Sequence, residues 1–177
     1  MTGPSVALAD AKAVSVRSLQ IMADGDLADF EAVVHPQAVN REDGGPPASR
    51  GRGPAAFHAA ALWLRGAFAE LRWEIHEVAA ESGLVAVHST WSGRHIRPFV
   101  VYDDAGAVAQ AMPPTHKTFA ATQSHWFRLA DGTIIEHWAN RDDLAMGQQL
   151  GWIPPTPGYL VRMALAKRRA RAIPRAA

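Results

Sequence analysis

The stretch that decides the fold runs from Lys117 to Gly151 and reads KTFAATQSHWFRLADGTIIEHWANRDDLAMGQQLG. A β-branched and aromatic run meets Asp131-Gly132, and a second run of the same kind follows. Asp-Gly between two such runs is a strong short-range hairpin signal, because both central residues of the tight turn need φ above zero. The second strand closes on Trp138, Asn140, Asp142 and Asp143, just before LAMGQQLG. Polar groups beside large aromatics at the end of a strand suit a pocket, so the hairpin reads as the floor of a ligand site.

A two-residue turn sets Ala130 opposite Thr133, and therefore Phe127 opposite Glu136 and His125 opposite Trp138. Alternation then groups Gln123, His125 and Phe127 with Glu136, Trp138 and Asn140 on one face, joined by Asp142 if the strand runs that far. The other face carries Thr118, Thr122, Ser124, Trp126 and His137. The grouping depends on register, since a one-residue slip exchanges the two faces.

Upstream of the hairpin the pattern changes twice. Residues 9–24 carry apolar side chains at near-helical spacing, Gly25-Asp26 breaks the run, and LADFEAVV reads as a second short helix with Asp26 as its N-cap. HPQAVNRE loses that periodicity, and EDGGPPASRGRGP reads as a loop. Pro54 suits the first turn of a third helix, AAFHAAALWLRGAFAEL, with an apolar stripe of Phe57, Ala61, Leu64 and Phe68. From Leu71 the period becomes two. LRWEIHEVAA and GLVAVHSTW form a hairpin through Glu81-Ser82-Gly83, RPFVVY is a third strand, and AGAVAQAM is a weaker candidate for a fourth. Helices first and antiparallel strands afterwards define an α+β single domain, not a βαβ one. The domain is expected over residues 1–151, with residues 152–177 a basic, partly helical tail.

The bulk composition fits this reading. With 177 residues, 48% hydrophobic and 20% charged, the chain has the balance of an ordinary globular domain with a sizeable core. No apolar run is long enough for a membrane span, and the N-terminus lacks a signal-peptide pattern, so no membrane role is expected. Zero cysteines exclude disulfides and thiolate metal sites and agree with a cytoplasmic location. The net charge is +1, yet no acid follows Asp143 while six basic residues do, which leaves residues 1–143 at −5. No aromatic residues interleave those basic charges, so a solvated tail is expected and not a nucleic-acid site. The eight histidines show no His-x-His or His-x-x-x-His pair, so no metal site is expected. There is no phosphate-binding glycine loop, no Gly-x-Ser-x-Gly elbow and no cysteine nucleophile, which removes nucleotide hydrolysis, serine hydrolase and thiol chemistry.

The segments FEAVVHPQAVNRE, LRGAFAELRWEIHEVAAESGLVAVHSTWSGRH, MPPTHKTF and HWFRLADGTIIEHWANRDD…QQLG, in this order over most of the chain, resemble the SnoaL-like polyketide cyclases, or ester cyclases. These belong to a superfamily with ketosteroid isomerase, limonene epoxide hydrolase and nuclear transport factor. The resemblance implies a cone-shaped, curved antiparallel sheet packed against the N-terminal helices, and frequent homodimers through the outer sheet face. It also implies intramolecular aldol ring closure of a hydrophobic, polyketide-like substrate, with neither metal nor organic cofactor. Many relatives carry Asp directly after the Trp, where this chain has Ala139; Asp142 matches the other acidic position. His116 stands where the family usually has Gly.

That chemistry needs a general acid/base near an acidic carbon proton and a group to steady the oxyanion. Asp142 beside Trp138 is the expected acid/base, although its place before LAMGQQL equally suits a helix N-cap. His125 is expected to donate to a substrate carbonyl or to orient Asp142. Trp138, Asn140, Glu136, His95, Asn40, Phe99 and His88 complete the expected substrate-binding set, although for Glu136 partnership with an arginine is the favoured reading. Two other readings stay open: an epoxide hydrolase or ether-forming cyclase, which would need an Asp-Arg-Asp arrangement, and a small-molecule binding protein without turnover.

Overall fold

The computed structural model describes residues 8–42 and 44–172. Helices α1 (Leu8–Asp24) and α2 (Leu27–Val33) lead into strand β1 (Val34–Asn40), and a 3-10 turn (Pro47–Arg50) precedes helix α3 (Gly53–Ala67). Strands β2 (Phe68–Glu81), β3 (Leu84–His95), β4 (Phe99–Tyr102), β5 (Val108–Met112), β6 (Thr118–Ala130) and β7 (Thr133–Arg141) follow, then helices α4 (Asp143–Leu150) and α5 (Pro157–Ala172). The main sheet has the order β1-β7-β6-β3-β2; β1 runs parallel to β7, and the remaining pairs are antiparallel. The sheet is curved and open, as the resemblance implies. Register shifts interrupt three of its ladders, and bulges of this kind bend a strand and increase its local twist.

The helices form where their ends are satisfied. Asp26 and Asp29 make a reciprocal capping box at the start of α2, each carboxylate accepting a backbone N–H of the other residue. At the C-terminus of α1, the Arg65 guanidinium donates to the carbonyls of Ile21, Met22 and Gly25 at 2.6–2.9 Å. The Ile21 carbonyl also accepts the Gly25 N–H at 2.8 Å, and a cation at this end meets the negative end of the helix dipole. Pro54 occupies the first turn of α3 as expected. The preceding Gly53 has φ of +75°, and a Cβ there would lie 2.4 Å from the Pro36 carbonyl oxygen, so only glycine lets α3 start against β1.

Three expectations need correction. The stretch HPQAVN, where helical periodicity is lost and no strand was expected, belongs to strand β1; Pro36 and an irregular register between Val34 and Val39 hide its alternation. Helix α3 ends at Ala67, so Phe68 starts β2 instead of closing the helical stripe. The third correction matters most. Asp131 and Gly132 both take positive φ, and Ala130 faces Thr133 as expected, but Leu129 then pairs with Ile134 and Arg128 with Glu136. Ile135 is the extra residue of a bulge. Phe127 therefore faces His137, His125 faces Ala139, and Gln123 faces Arg141. The face assigned to Glu136, Trp138 and Asn140 belongs to His137, Ala139 and Arg141.

The core sits between the inner sheet face and helices α1 and α3. Phe68, fully buried, is its centre, with Trp91, His95, Phe99 and Phe119 rings at 5.1–5.7 Å. Strands β4 and β5 form a separate two-stranded ribbon, tied to the loop before α3 by the Tyr102 N–H to the Gly44 carbonyl. Helix α5 rests beside this ribbon on the buried Tyr159, whose hydroxyl donates to the Pro113 carbonyl. Among the described residues no helix is long and apolar enough to cross a membrane.

Candidate functional site

A cavity of about 680 Å³ including its mouth lies between α1, α3 and the inner face of the sheet. Met22, Phe57, Trp63, Leu64, Trp73 and Trp91 supply its apolar walls, and Gln123, His125, Phe127, His137 and Arg141 its floor. Alternation along β6 and β7 delivers the floor residues once the bulge at Ile135 is in place.

The polar floor is a single string of close polar contacts. The Nδ1 of His137 lies 3.0 Å from Asn40 Oδ1, and its Nε2 lies 3.0 Å from His125 Nδ1. His125 Nε2 in turn lies 2.8 Å from Gln123 Oε1. Both amides are oriented by neighbours that only donate. The Glu42 backbone N–H reaches Asn40 Oδ1 at 3.2 Å, and the Trp73 indole N–H reaches Gln123 Oε1 at 3.4 Å. Oxygen, not nitrogen, is therefore turned toward each imidazole. The two rings are stacked with centroids 5.3 Å apart, and both residues are less than one-tenth exposed.

Burial penalises the imidazolium form and sets the electrostatics of this floor. It pushes His137 down to about 3, with the Arg141 guanidinium adding to the effect. Burial also drives His125 well below the usual 6.5, helped by His137 and Arg141. The ligand-free pair is neutral at pH 7. His95, fully buried in the core, is held at about 4 mainly by burial.

These three shifts set a direction for stability. The unfolded histidines take up protons near 6.5, whereas folded His95 and His137 do so only near 4 and 3, and folded His125 well below 6.5. Stability is therefore level above pH 7 and falls as the pH drops from 6.5 toward 4, by up to about 1.4 kcal/mol per pH unit for each histidine. Thermal unfolding midpoints should be clearly lower at pH 5 than at pH 8. Equal midpoints would contradict the burial of these rings as neutral species.

The position after Trp138 lies on the inner face, because Ala139 pairs with His125. An acid there would stand beside His125. Instead Glu42, from the segment after β1, brings its carboxylate to this place, accepting the Ala139 N–H at 2.8 Å and pairing with Arg141. Glu42 is the carboxylate in the cavity lining. Arg141 also reaches Asp143 at 3.4 Å.

Of the residues expected from sequence, the cavity brings together His125 and Asn40. Asp142 does not face it: the side chain caps α4, accepting the Ala145 N–H at 2.9 Å, and is exposed. With Asn140 and His88 it borders a shallow groove on the outer face, where His88 bonds Ser124. Trp138 stacks on Trp126 on that same outer face, at 6.3 Å between centroids. Glu136 is held by Arg41 and Arg128, which lower its pKa, Arg41 first. His95 packs beneath Phe68 and Trp152, accepting the Thr115 N–H at 3.3 Å. Phe99 backs the cavity wall, stacked on Trp63 at 4.7 Å. His116 has φ of +59°, a backbone conformation that favours glycine.

Sequence reasoning placed Gln123 on the His125 face without naming it a site residue, and missed His137, Arg141 and Glu42. Period-two alternation carried the signal for His137 and Arg141, but the bulge that sets their face has no mark in the sequence. The cap role of Asp142 gives a direct check. Asp142→Ala should cost about 1 kcal/mol of stability, the usual value of an N-cap, and leave any turnover within about twofold. Loss of turnover without loss of stability would return Asp142 to the site.

The helical layer and the curved sheet of this α+β fold leave a largely apolar cleft between them. Comparison with known proteins carries this further. The model of the SnoaL-like polyketide cyclase family matches residues 13–150, and the chain belongs to that family. Aklanonic acid methyl ester cyclase DauD of Streptomyces sp. (strain C5) is 35% identical over 108 residues, which is 60% of this chain and 60% of that relative. The nogalonic acid methyl ester cyclase of Streptomyces nogalater is 29% identical over 132 residues, covering 72% of this chain and 87% of the relative. The chain thus spans less than two thirds of DauD and most of the nogalonic enzyme. Among solved structures, TsrD from Streptomyces laurentii superposes with a TM-score of 0.67 at 22% identity, covering 83% of this chain and 98% of TsrD. At that identity the likeness speaks for the fold.

Proposed function

We propose that the chain is a cyclase that closes a ring on a hydrophobic, polyketide-like ester by intramolecular aldol addition, using side chains alone. The observation that carries this reading is the buried His125–His137 string on the floor of an aromatic-walled cavity. Family membership and relatives named as methyl ester cyclases support it.

In this reading a neutral His125 is the general base. It takes a proton from a carbon flanked by carbonyls, and the electron pair moves onto the carbonyl oxygen as an enolate. The enolate carbon attacks a second carbonyl of the same molecule, forming the new C–C bond. The alkoxide that results takes the proton back. Desolvation lowers the basicity of His125, but it strengthens every attraction between the imidazolium and the developing anion. Arg141, whose side chain lines the cavity, is placed for the oxyanion. His137 and Asn40 position His125.

An epoxide-hydrolase route fits less well. Arg141 faces the cavity, but Asp142 is turned away to cap α4 and Asp143 is exposed. The test is incubation with aklanonic and nogalonic acid methyl esters. A ring-closed product of unchanged mass is expected with at least one of them. Binding without conversion of either would leave a carrier protein and defeat the cyclase reading.

A further inference from the structure

Counting protons along the floor gives a consequence for the ligand. The string Asn40–His137–His125–Gln123 contains three contacts, and each needs one N–H to lie between two heavy atoms. The two ends are amide oxygens, fixed as such by the Glu42 N–H and the Trp73 indole N–H, so neither end can donate. All three protons must come from the two rings. Two neutral imidazoles carry only two. The string is one proton short, and in the ligand-free protein two lone pairs face each other at one of its contacts. A third proton completes all three bonds and leaves one positive charge shared by the pair.

Burial and Arg141 oppose that charge, and in the ligand-free state they prevail. Among the described residues the cavity holds two charged side chains, Arg141 and Glu42, and these are paired with each other. Helices α1 and α3 and strands β2 and β3 turn no titratable side chain into it. The net field on the pair is therefore open to decision by what the ligand brings.

We propose that the cavity selects weakly acidic, planar enols and phenols and holds them as anions, with the His125–His137 pair taking up the third proton. The ligand's hydroxyl proton, or one from solvent if the ligand is already ionised, ends on the pair. The O–H bond breaks, an N–H bond forms, and the charges balance as imidazolium and enolate or phenolate. This rests on the reading of the floor as the reacting site and extends it: the ground-state ligand and the enolate of the reaction present the same charge to the same pair.

The experiment uses the full chain and 7-hydroxycoumarin, whose phenol and phenolate absorb at different wavelengths, with 7-methoxycoumarin as the neutral comparator. About one pH unit below the probe's own pKa, the bound probe should show the phenolate band, with no net proton exchange. About one unit above it, calorimetry in buffers of different ionisation enthalpy should show uptake of about one proton per bound probe. The ether should bind more weakly at both pH values. His137→Gln should abolish both the band and the uptake, whereas His88→Gln on the outer face should change neither.

A bound probe that stays neutral below its pKa, binding above it without uptake, or no binding at all would each overturn the proposal. The parent protein alone decides this, even if His137→Gln fails to fold. Proton uptake without conversion of the methyl esters would sustain the proposal and sink the cyclase reading. Conversion without uptake would do the reverse.

Discussion

Replacing His125 with alanine is expected to lower ring-closing turnover about 10²–10⁴-fold, the usual worth of a positioned general base. The loss should fall chiefly on kcat, with a smaller rise in KM where the substrate's enol is held as an anion. His125 removes a proton in the transition state, while the aromatic walls that hold the substrate are unchanged. His125 is 6% exposed and its side chain sits between His137 and Gln123, so truncation also leaves the string broken in two. His137→Gln should do less, because it removes a positioning partner and leaves the base. Single-turnover rates for the parent and the two variants measure the ordering. Equal losses in KM and no loss in kcat for His125→Ala would mean that the ring only binds.

The second large effect is on the fold. Phe68→Ala should destabilise the protein by about 3–5 kcal/mol, as deleting a fully buried phenyl ring does when its surroundings cannot collapse. Phe68 is 2% exposed and stands where α3 passes into β2, with four rings packed around it. Those rings come from β3, β4 and β6, elements pinned by their own hydrogen bonds, so the cavity cannot close. Chemical denaturation checks the figure. A loss under about 1 kcal/mol would show that the core is soft at its centre.

The fold was largely legible because its signals are local. The Asp131-Gly132 and Ser82-Gly83 turns, the Asp26 cap and Pro54 in the first turn of α3 all act where they are read. Strand β1 was not legible. It is irregular, contains Pro36, and is a strand only because β7 lies beside it in parallel. The site was harder for a related reason. His125 was found from alternation along β6, but its companions depend on the register of β7. One unpaired residue, Ile135, turns His137 and Arg141 inward and Glu136, Trp138 and Asn140 outward. Bulges answer to the curvature of the whole sheet, so nothing within nine residues of strand declares them. Asp142 shows the opposite case. Its place before LAMGQQL was a local cap signal, and the cap is what the chain uses it for.

The central claim is that His125, not a carboxylate, moves the proton. Its competitor on geometry is Glu42, the carboxylate of the cavity lining. The most direct measurement is deuterium wash-in at the acidic carbon of a methyl ester substrate in heavy water, followed by proton NMR. It reads proton abstraction without needing ring closure. The parent should catalyse wash-in, Glu42→Gln should retain most of it, and His125→Gln should lose it. Wash-in that survives in His125→Gln and disappears in Glu42→Gln would contradict the account.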